Sequence, residues 1–306
     1  MSEADIGSEL LATPLHGIYI PATLLAVGIA ILSPSHTLHG VLASVILVIL
    51  KLARGYTRKP PEYDVELVNK IPLNHNTTMY VSVYKREFLT STNCRYRFAL
   101  PRETDLLRFE PGQCISISAK SPTGTVSRCY NPISDPDCPG LIEVLVKHYP
   151  EGTISRYLNE IGLHRSVRIS GPLGRPFASS LPNLGMLAGG TGITPMLQII
   201  GAIVRNPADM TVVSLVFANV TEHDILLKEN LDELAAKYPN FYVHYVVERP
   251  SPQWTGGMGY ITNDIVERQL GPCGQLLICG PQGFIDCARR IVGELGYGDD
   301  SVVVFQ

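Results

Sequence analysis

Apolar residues follow three regimes along this chain. The first is nearly continuous: Gly17 to Ser33 is uncharged and mostly apolar, S-P-S-H-T interrupts it, and Leu38 to Leu50 is a second apolar run. The next regime, from Tyr63 to about Arg175, alternates over short stretches, V-E-L-V, C-I-S-I-S-A, I-E-V-L-V-K and S-V-R-I-S, separated by Pro/Gly turns. A period of two bounded by turns predicts strands, and several such strands in series predict an antiparallel β-barrel. The third regime starts at Leu184, where short apolar runs alternate with helical ones. L-G-M-L-A precedes a helix at Thr194, V-V-S-L-V-F-A one near Leu226 to Tyr238, and L-L-I-C-G one from Phe284 to Leu295. F-Y-V-H-Y-V-V leads into a connection through Trp254. This predicts an α/β doubly wound parallel sheet, with ligands at the carboxyl ends of its strands.

Each N-terminal run is shorter than the roughly 20 residues of a spanning helix. Three readings stand: one tilted span built mainly from the first run, a short membrane hairpin, or a buried hairpin of the soluble part. A signal peptide is excluded, because no basic residue precedes the first run while Glu3, Asp5 and Glu9 do. Lys51, Arg54, Arg58 and Lys59 follow the second run, which leaves everything downstream in the cytosol. The chain thus divides into an N-terminal membrane anchor (1–55), a stiff linker (56–62), a barrel domain (63–178) and an α/β domain (182–306). A net charge of −3 gives no reason to expect a nucleic-acid partner. Seven cysteines, odd in number and without a C-x-x-C pair, argue against a disulfide framework or a metal site and for a reducing compartment.

Four motifs carry chemistry. In G-M-L-A-G-G-T-G-I-T-P-M-L (185–197), Gly189, Gly190 and Gly192 permit a sharp turn and close ligand approach, Thr191 and Thr194 can cap, and Pro195 suits the first helical turn. A helix N-terminus behind such a turn suits a pyrophosphate, although tight turns of this composition also occur without a ligand. In R-C-Y-N-P-I-S (128–134), Arg128 and Tyr130 point the same way, offering a guanidinium fork to phosphate and an aromatic face. The pair alone also reads as an exposed ion-pairing site. G-T-I-S-R-Y-L (152–158) is a second anion-ready helix start or an ordinary capped helix. C-G-P-Q-G-F (279–284) ends a strand, so Cys279 reads as a ligand contact at the carboxyl edge or as a small buried hydrophobe. Asp224, after the strand Val212 to Ala218, can accept from ribose hydroxyls and would repel a 2′-phosphate; it also reads as a surface capping residue.

Taken in this order, with V-K-H-Y-P-E-G-T-I-S-R-Y-L and an aromatic near the C-terminus, the motifs resemble the ferredoxin-reductase-like flavoenzymes. Within them the chain is similar to NADH–cytochrome b5 reductases of the membrane-anchored fungal type, including G-I-Y-I-P-A-T-L-L in the anchor. The resemblance implies FAD in the barrel and NADH on the α/β domain. Arg128 would bind the FAD pyrophosphate and Tyr130 pack on the flavin. Asn131, Ser134, Val146, Lys147 and Tyr149 would line it, and Gly152, Thr153, Ile154 and Ser155 would present N–H groups to phosphate. For NADH, Gly189, Gly190, Thr191, Gly192, Thr194 and Pro195 would hold the pyrophosphate and Asp224 the ribose. Cys279, Gly280, Pro281 and Phe305 would meet the nicotinamide. Asn131, Lys147 and Cys279 stand as the catalytic set.

The resemblance further implies hydride transfer to flavin N5, then single electrons to the haem of cytochrome b5, by a monomer. The anchor would sit in the mitochondrial outer membrane or the endoplasmic reticulum. Other acceptors in the same class are a quinone or an iron–sulfur protein, including a carrier of diphthamide biosynthesis. Absence of a C-terminal four-cysteine cluster excludes a reductase with its own [2Fe–2S] centre. A flavin-free membrane scaffold is the reading from a different class. Its support is Asn131, where the family has Thr or Ser, Gln282-Gly283, expected to loosen a stiff loop, and an inserted segment. Relatives run from H-N-T through one apolar residue to Y-R-F, so residues 79–95 read as a translated intron, expected to be irregular and to interrupt a barrel strand; a genuine surface loop is the alternative.

Overall fold

The computed structural model describes residues 78–121, 124–178 and 181–305. The expected anchor and linker, the V-E-L-V strand and Gln306 lie outside the described residues. Among the described residues no helix is long and apolar enough to cross a membrane.

The first half is antiparallel: β1 (Thr78–Phe88), β2 (Asn93–Ala99), β3 (Cys114–Ser121), β4 (Gly124–Tyr130), β5 (Leu141–Lys147), helix α1 (Thr153–Glu160) and β6 (Ser166–Leu173). The strand order is β4-β3-β6-β1-β2-β5, and a bridge from Pro132 to Val144 brings the exit of β4 onto β5, which curls the sheet into the expected barrel. Ile115 and Ile117 of β3, Val144 and Val146 of β5 and Val167 and Ile169 of β6 fill its interior, and Ile154 and Leu158 of α1 close one end.

The segment 79–95 is not irregular, which corrects the expectation. β1 lies in the middle of the sheet, paired with β6 through Thr78↔Ser170 and with β2 through Phe88↔Cys94. A four-residue polar-rich turn (89–92) joins the pair, with Asn93 donating its backbone N–H to Thr90 Oγ1 at 3.0 Å. The physical reason is the period of two. Val81 and Val83 face inward from β1, as do Cys94, Tyr96 and Phe98 from β2, so both strands bury one apolar face.

The second half is parallel: β7 (Asn183–Gly189), a 3-10 turn (Gly190–Gly192), α2 (Ile193–Arg205), β8 (Val212–Asn219), a 3-10 turn (Glu222–Asp224), α3 (Lys228–Lys237) and β9 (Phe241–Val247). There follow β10 (Gly257–Met258), α4 (Asn263–Leu270), β11 (Gln275–Cys279), α5 (Gln282–Glu294) and β12 (Val302–Phe305). The order is β10-β9-β8-β7-β11-β12, parallel throughout. The chain leaves β7 toward β8, β9 and β10, then crosses back to β11 and β12. That reversal puts a topological switch point, the crevice where such sheets bind ligands, at the carboxyl end of β7. The expected helix at 284–295 starts two residues earlier. Gln282 and Gly283 form its first turn, with Gln282 Nε2 donating to Asp286 Oδ1 at 2.7 Å, so they do not loosen a loop.

Candidate functional site: two helix N-termini and the strand edges between them

At the switch point the backbone is dictated by crowding. Gly190 has φ +55°, a left-handed conformation that glycine adopts without strain. A Cβ on Gly192 would run into the Cys279 carbonyl, and one on Gly189 would come within 2.9 Å of the Phe284 ring. The expected threonine caps are absent: the N-cap of α2 is Gly192 with no side-chain bond, and the Thr194 hydroxyl donates backwards to the Thr191 carbonyl at 3.1 Å. The glycines bring the turn close to the end of β11, and the Thr194 hydroxyl is spent within the turn itself. The first-turn N–H groups of α2 are consequently left without a side-chain acceptor, which is the state an anion would complete. Pro195 sits in that first turn, as expected.

Beside this turn, Cys279 ends β11 with Ala188 of β7 on one side and Phe305 of β12 on the other. Burial pushes the Cys279 thiol up to about 12, so it stays protonated and is no thiolate nucleophile at neutral pH. Gly280 admits no Cβ, which would meet Phe284 at 2.7 Å, and Pro281 is the N-cap of α5. Phe305 packs against Phe177 with ring centroids 6.4 Å apart, and a Cβ on Gly112 would lie 3.0 Å from its ring. The last strand of the parallel sheet therefore rests on the barrel side of the molecule.

On the barrel, β4 carries Arg128 and Tyr130 along its open edge. Arg128 is exposed and makes no ion pair among the described residues; its Nη1 donates only to the Ser127 carbonyl at 2.8 Å. Tyr130 packs on the barrel core, and burial pushes its hydroxyl up to about 12, so it remains a donor at neutral pH. Lys147 Nζ stands 5.8 Å from the centroid of the exposed Tyr149 ring. Behind them α1 starts at Gly152, which has no side chain to cap it, and the buried Ser155 hydroxyl is engaged by Tyr149, accepting from the Tyr149 N–H at 3.2 Å. Ser155 also leaves no room for a Cβ on Gly152. Thr153 is part-exposed at this helix start, while Ile154 and Val146 point into the barrel core, so only their backbones can face a ligand.

Two predicted positions are tied up locally. Ser134 Oγ accepts the Glu143 N–H at 3.1 Å. Asp224 forms a capping box with Thr221, its Oδ2 accepting from the Thr221 N–H at 3.0 Å and hydroxyl at 2.7 Å. The Asn131 amide donates to the carbonyls of Gln113 at 3.0 Å and Gly112 at 3.4 Å. Both partners are carbonyls, so the NH2 faces them and the amide oxygen is turned away.

Sequence reasoning missed Gln198. It is buried on α2, accepts the Gly112 N–H at 2.9 Å, and donates to Gln113 O at 3.1 Å and Pro132 O at 2.9 Å. One side chain thus fastens the nucleotide-turn helix to the exit of β4. Its signal in sequence was a polar residue on an otherwise apolar helix face. Asn219 was missed as well: at the carboxyl end of β8, both amide atoms are buried without a hydrogen-bond partner among the described residues.

The unpaired guanidinium on an open strand edge and two uncapped helix N-termini fit two phosphate-bearing dinucleotides. Barrel, glycine turn and parallel sheet together define an FAD- and NAD-binding oxidoreductase of the ferredoxin-reductase-like class. Residues 65–177 match the oxidoreductase FAD-binding domain family and residues 186–290 the oxidoreductase NAD-binding domain family. Over the full length of both chains the sequence is 37% identical to the plasma membrane-associated coenzyme Q6 reductase of Saccharomyces cerevisiae. It is 38% identical to NADH-cytochrome b5 reductase 1 of Aspergillus fumigatus, across 95% of this chain and 94% of that one. Among solved structures, the cytochrome b5 reductase domain of Ulva prolifera nitrate reductase superposes with a TM-score of 0.68 at 30% identity, covering 75% of this chain and 97% of that domain. The chain belongs to the NADH–cytochrome b5 reductase family.

Proposed function

We propose that this chain carries electrons from NADH, through FAD, to cytochrome b5. The observation that carries the reading is the meeting of the β11–β12 edge with the barrel at Phe305, Phe177 and Gly112, next to the exit of the Arg128–Tyr130 strand. When bound, FAD and NADH supply hydride transfer and the division of an electron pair into single electrons. The protein's part is to hold and align. Arg128 and the first turn of α1 (Gly152, Thr153, Ile154, Ser155) bind FAD phosphate. Tyr130, Lys147, Tyr149 and the backbone of Val146 line the flavin, and Tyr130 keeps its proton. Gly189 to Pro195 hold the NADH pyrophosphate, Asp224 takes the ribose through its second oxygen, and Cys279, Gly280, Pro281 and Phe305 bound the nicotinamide. Asn131 acts from the Gly112–Gln113 carbonyls, with Ser134 bracing the strand exit.

The N-terminal apolar runs anchor this monomeric reductase in a membrane, the mitochondrial outer membrane or the endoplasmic reticulum, with the catalytic part in the cytosol. An iron–sulfur carrier of diphthamide biosynthesis is a further acceptor of the same one-electron chemistry. A quinone acceptor is the second reading, favoured by the full-length similarity to a coenzyme Q6 reductase. The test uses the purified full chain with its native flavin. NADH should reduce cytochrome b5 with saturable kinetics, and faster than it reduces a water-soluble ubiquinone. A preference for the quinone would install the second reading, and a colourless protein that binds no FAD would overturn both.

A further inference from the structure

Two cysteines that lie far apart in sequence motifs meet on the outer face of the barrel. Within β3, Ile115, Ile117 and Ala119 point inward and are buried, so Cys114, Ser116 and Ser118 point outward. In the β3–β4 ladder Ser116 lies opposite Cys129 and Ser118 opposite Ser127. The Ser118 and Ser127 hydroxyls are hydrogen-bonded at 2.8 Å, which establishes that this outward face is shared by the two strands. Cys114 is the diagonal neighbour of Cys129 on that face, close enough for each side chain to shift the ionisation of the other. Cys129 is exposed, Cys114 half-buried, and both thiols are free. The pairing of β3 with β6 shifts register between Cys114 and Ser116, so the backbone at Cys114 departs from a regular ladder.

We propose that Cys114 and Cys129 form a reversible dithiol switch, with Cys129 the thiol oxidised by hydroperoxides and Cys114 the resolving thiol. In the first step the Cys129 thiolate attacks one peroxide oxygen. The O–O bond breaks, an S–O bond forms, and hydroxide leaves to be protonated to water. In the second step the Cys114 sulfur attacks the Cys129 sulfenic sulfur. The S–O bond breaks, the S–S bond forms, and the Cys114 proton departs with the hydroxyl as a second water. The balance is two thiols and one hydrogen peroxide giving one disulfide and two waters; two equivalents of a small thiol reverse it.

The division of roles follows from the surroundings. Cys129 is the exposed member of the pair; the Cys114 side chain beside it lowers the Cys129 thiol to about 6, while Cys129 and burial raise that of Cys114. The exposed partner is thus the thiolate, in the combination of ionisation, access and a neighbouring thiol that marks a peroxide-reactive cysteine. Diagonal cross-strand positions lie just beyond the usual disulfide span, so closing the bridge needs a small backbone movement, which the register shift at Cys114 makes available. Cys129 stands between Arg128 and Tyr130 in sequence but faces away from them across the strand.

Peptide mapping of the flavin-loaded full chain tests this. Hydrogen peroxide should link tryptic peptides 109–120 and 129–147 through Cys114 and Cys129, and dithiothreitol should release them. At pH 6 iodoacetamide should label Cys129 about tenfold faster than it labels free N-acetylcysteine. There a thiol of that acidity is about half ionised and an ordinary one about 0.3%, less the roughly tenfold lower intrinsic reactivity of an acidic thiolate. In Cys114→Ser, peroxide should leave a dimedone-reactive sulfenic acid on Cys129; in Cys129→Ser, Cys114 should stay reduced. Flavin absorbance verifies that each variant is folded, and the map of the parent protein requires no variant. Free Cys114 and Cys129 under peroxide that oxidises Cys287 would overturn the switch. So would sulfinic acid on Cys129 beside an unchanged Cys114.

Discussion

Arg128 makes its case by what it lacks. An exposed guanidinium on a strand edge, bonded among the described residues only to a neighbouring carbonyl, keeps most of its donors for a phosphate. Replacing it by alanine removes a charge-assisted contact of roughly 1.5–3 kcal/mol, so FAD should bind about 10- to 150-fold more weakly. Flavin retained after gel filtration measures this, and full retention in Arg128→Ala would sink the assignment. Asp224 is the other single-residue case. Its Oδ2 is spent on Thr221, which leaves the other oxygen and the charge to meet a ribose or oppose a 2′-phosphate. Asp224→Ala should narrow a preference for NADH over NADPH of at least about tenfold, since a factor of ten needs only about 1.4 kcal/mol. Comparison of kcat/KM for the two nucleotides decides it: equal use by the parent protein rules Asp224 out as discriminator.

Between elements, Gln198 joins α2 to the exit of β4 by three hydrogen bonds. Changing it to leucine strands the Pro132 carbonyl and the Gly112 N–H in a buried place and leaves the Gln113 carbonyl to the Asn131 amide alone, at a cost of about 2–4 kcal/mol. The urea midpoint should fall accordingly, and kcat should drop more than the KM for NADH rises, because α2 loses its fastening to the strand exit that holds Asn131. An unchanged midpoint would mean that water replaces the amide. The second element in question is β1. As the strand between β6 and β2 it cannot leave without parting the sheet. Replacing residues 79–95 by one isoleucine should therefore abolish cooperative unfolding of the barrel. A shortened protein at least as stable as the parent would show instead that the V-E-L-V segment can take the place of β1, and would return those residues to the status of an intron product.

For the whole molecule, the motifs lie downstream of residue 55, so a chain lacking residues 1–55 should be soluble, keep its flavin, and pass electrons from NADH to ferricyanide at the parent rate. Insolubility with loss of flavin would assign the apolar runs to the catalytic core. How far this protein can be read without its structure depends on the range of the interaction concerned. Alternation of C-I-S-I-S-A and I-E-V-L-V-K against the apolar runs of the second half determined the barrel and the parallel sheet, because burial of one face or two faces is written in the local period. The glycine turn and the R-C-Y-N motif were legible for the same reason: the conformations and charges they need are properties of neighbouring residues. Only the tertiary structure decided that Thr191 and Thr194 do not cap α2, that Gln198 binds the two halves, that Gln282 and Gly283 are helical, and that Cys114 meets Cys129. Each of these depends on partners far along the chain, whose arrival is set by sheet order and register, and no local pattern encodes those.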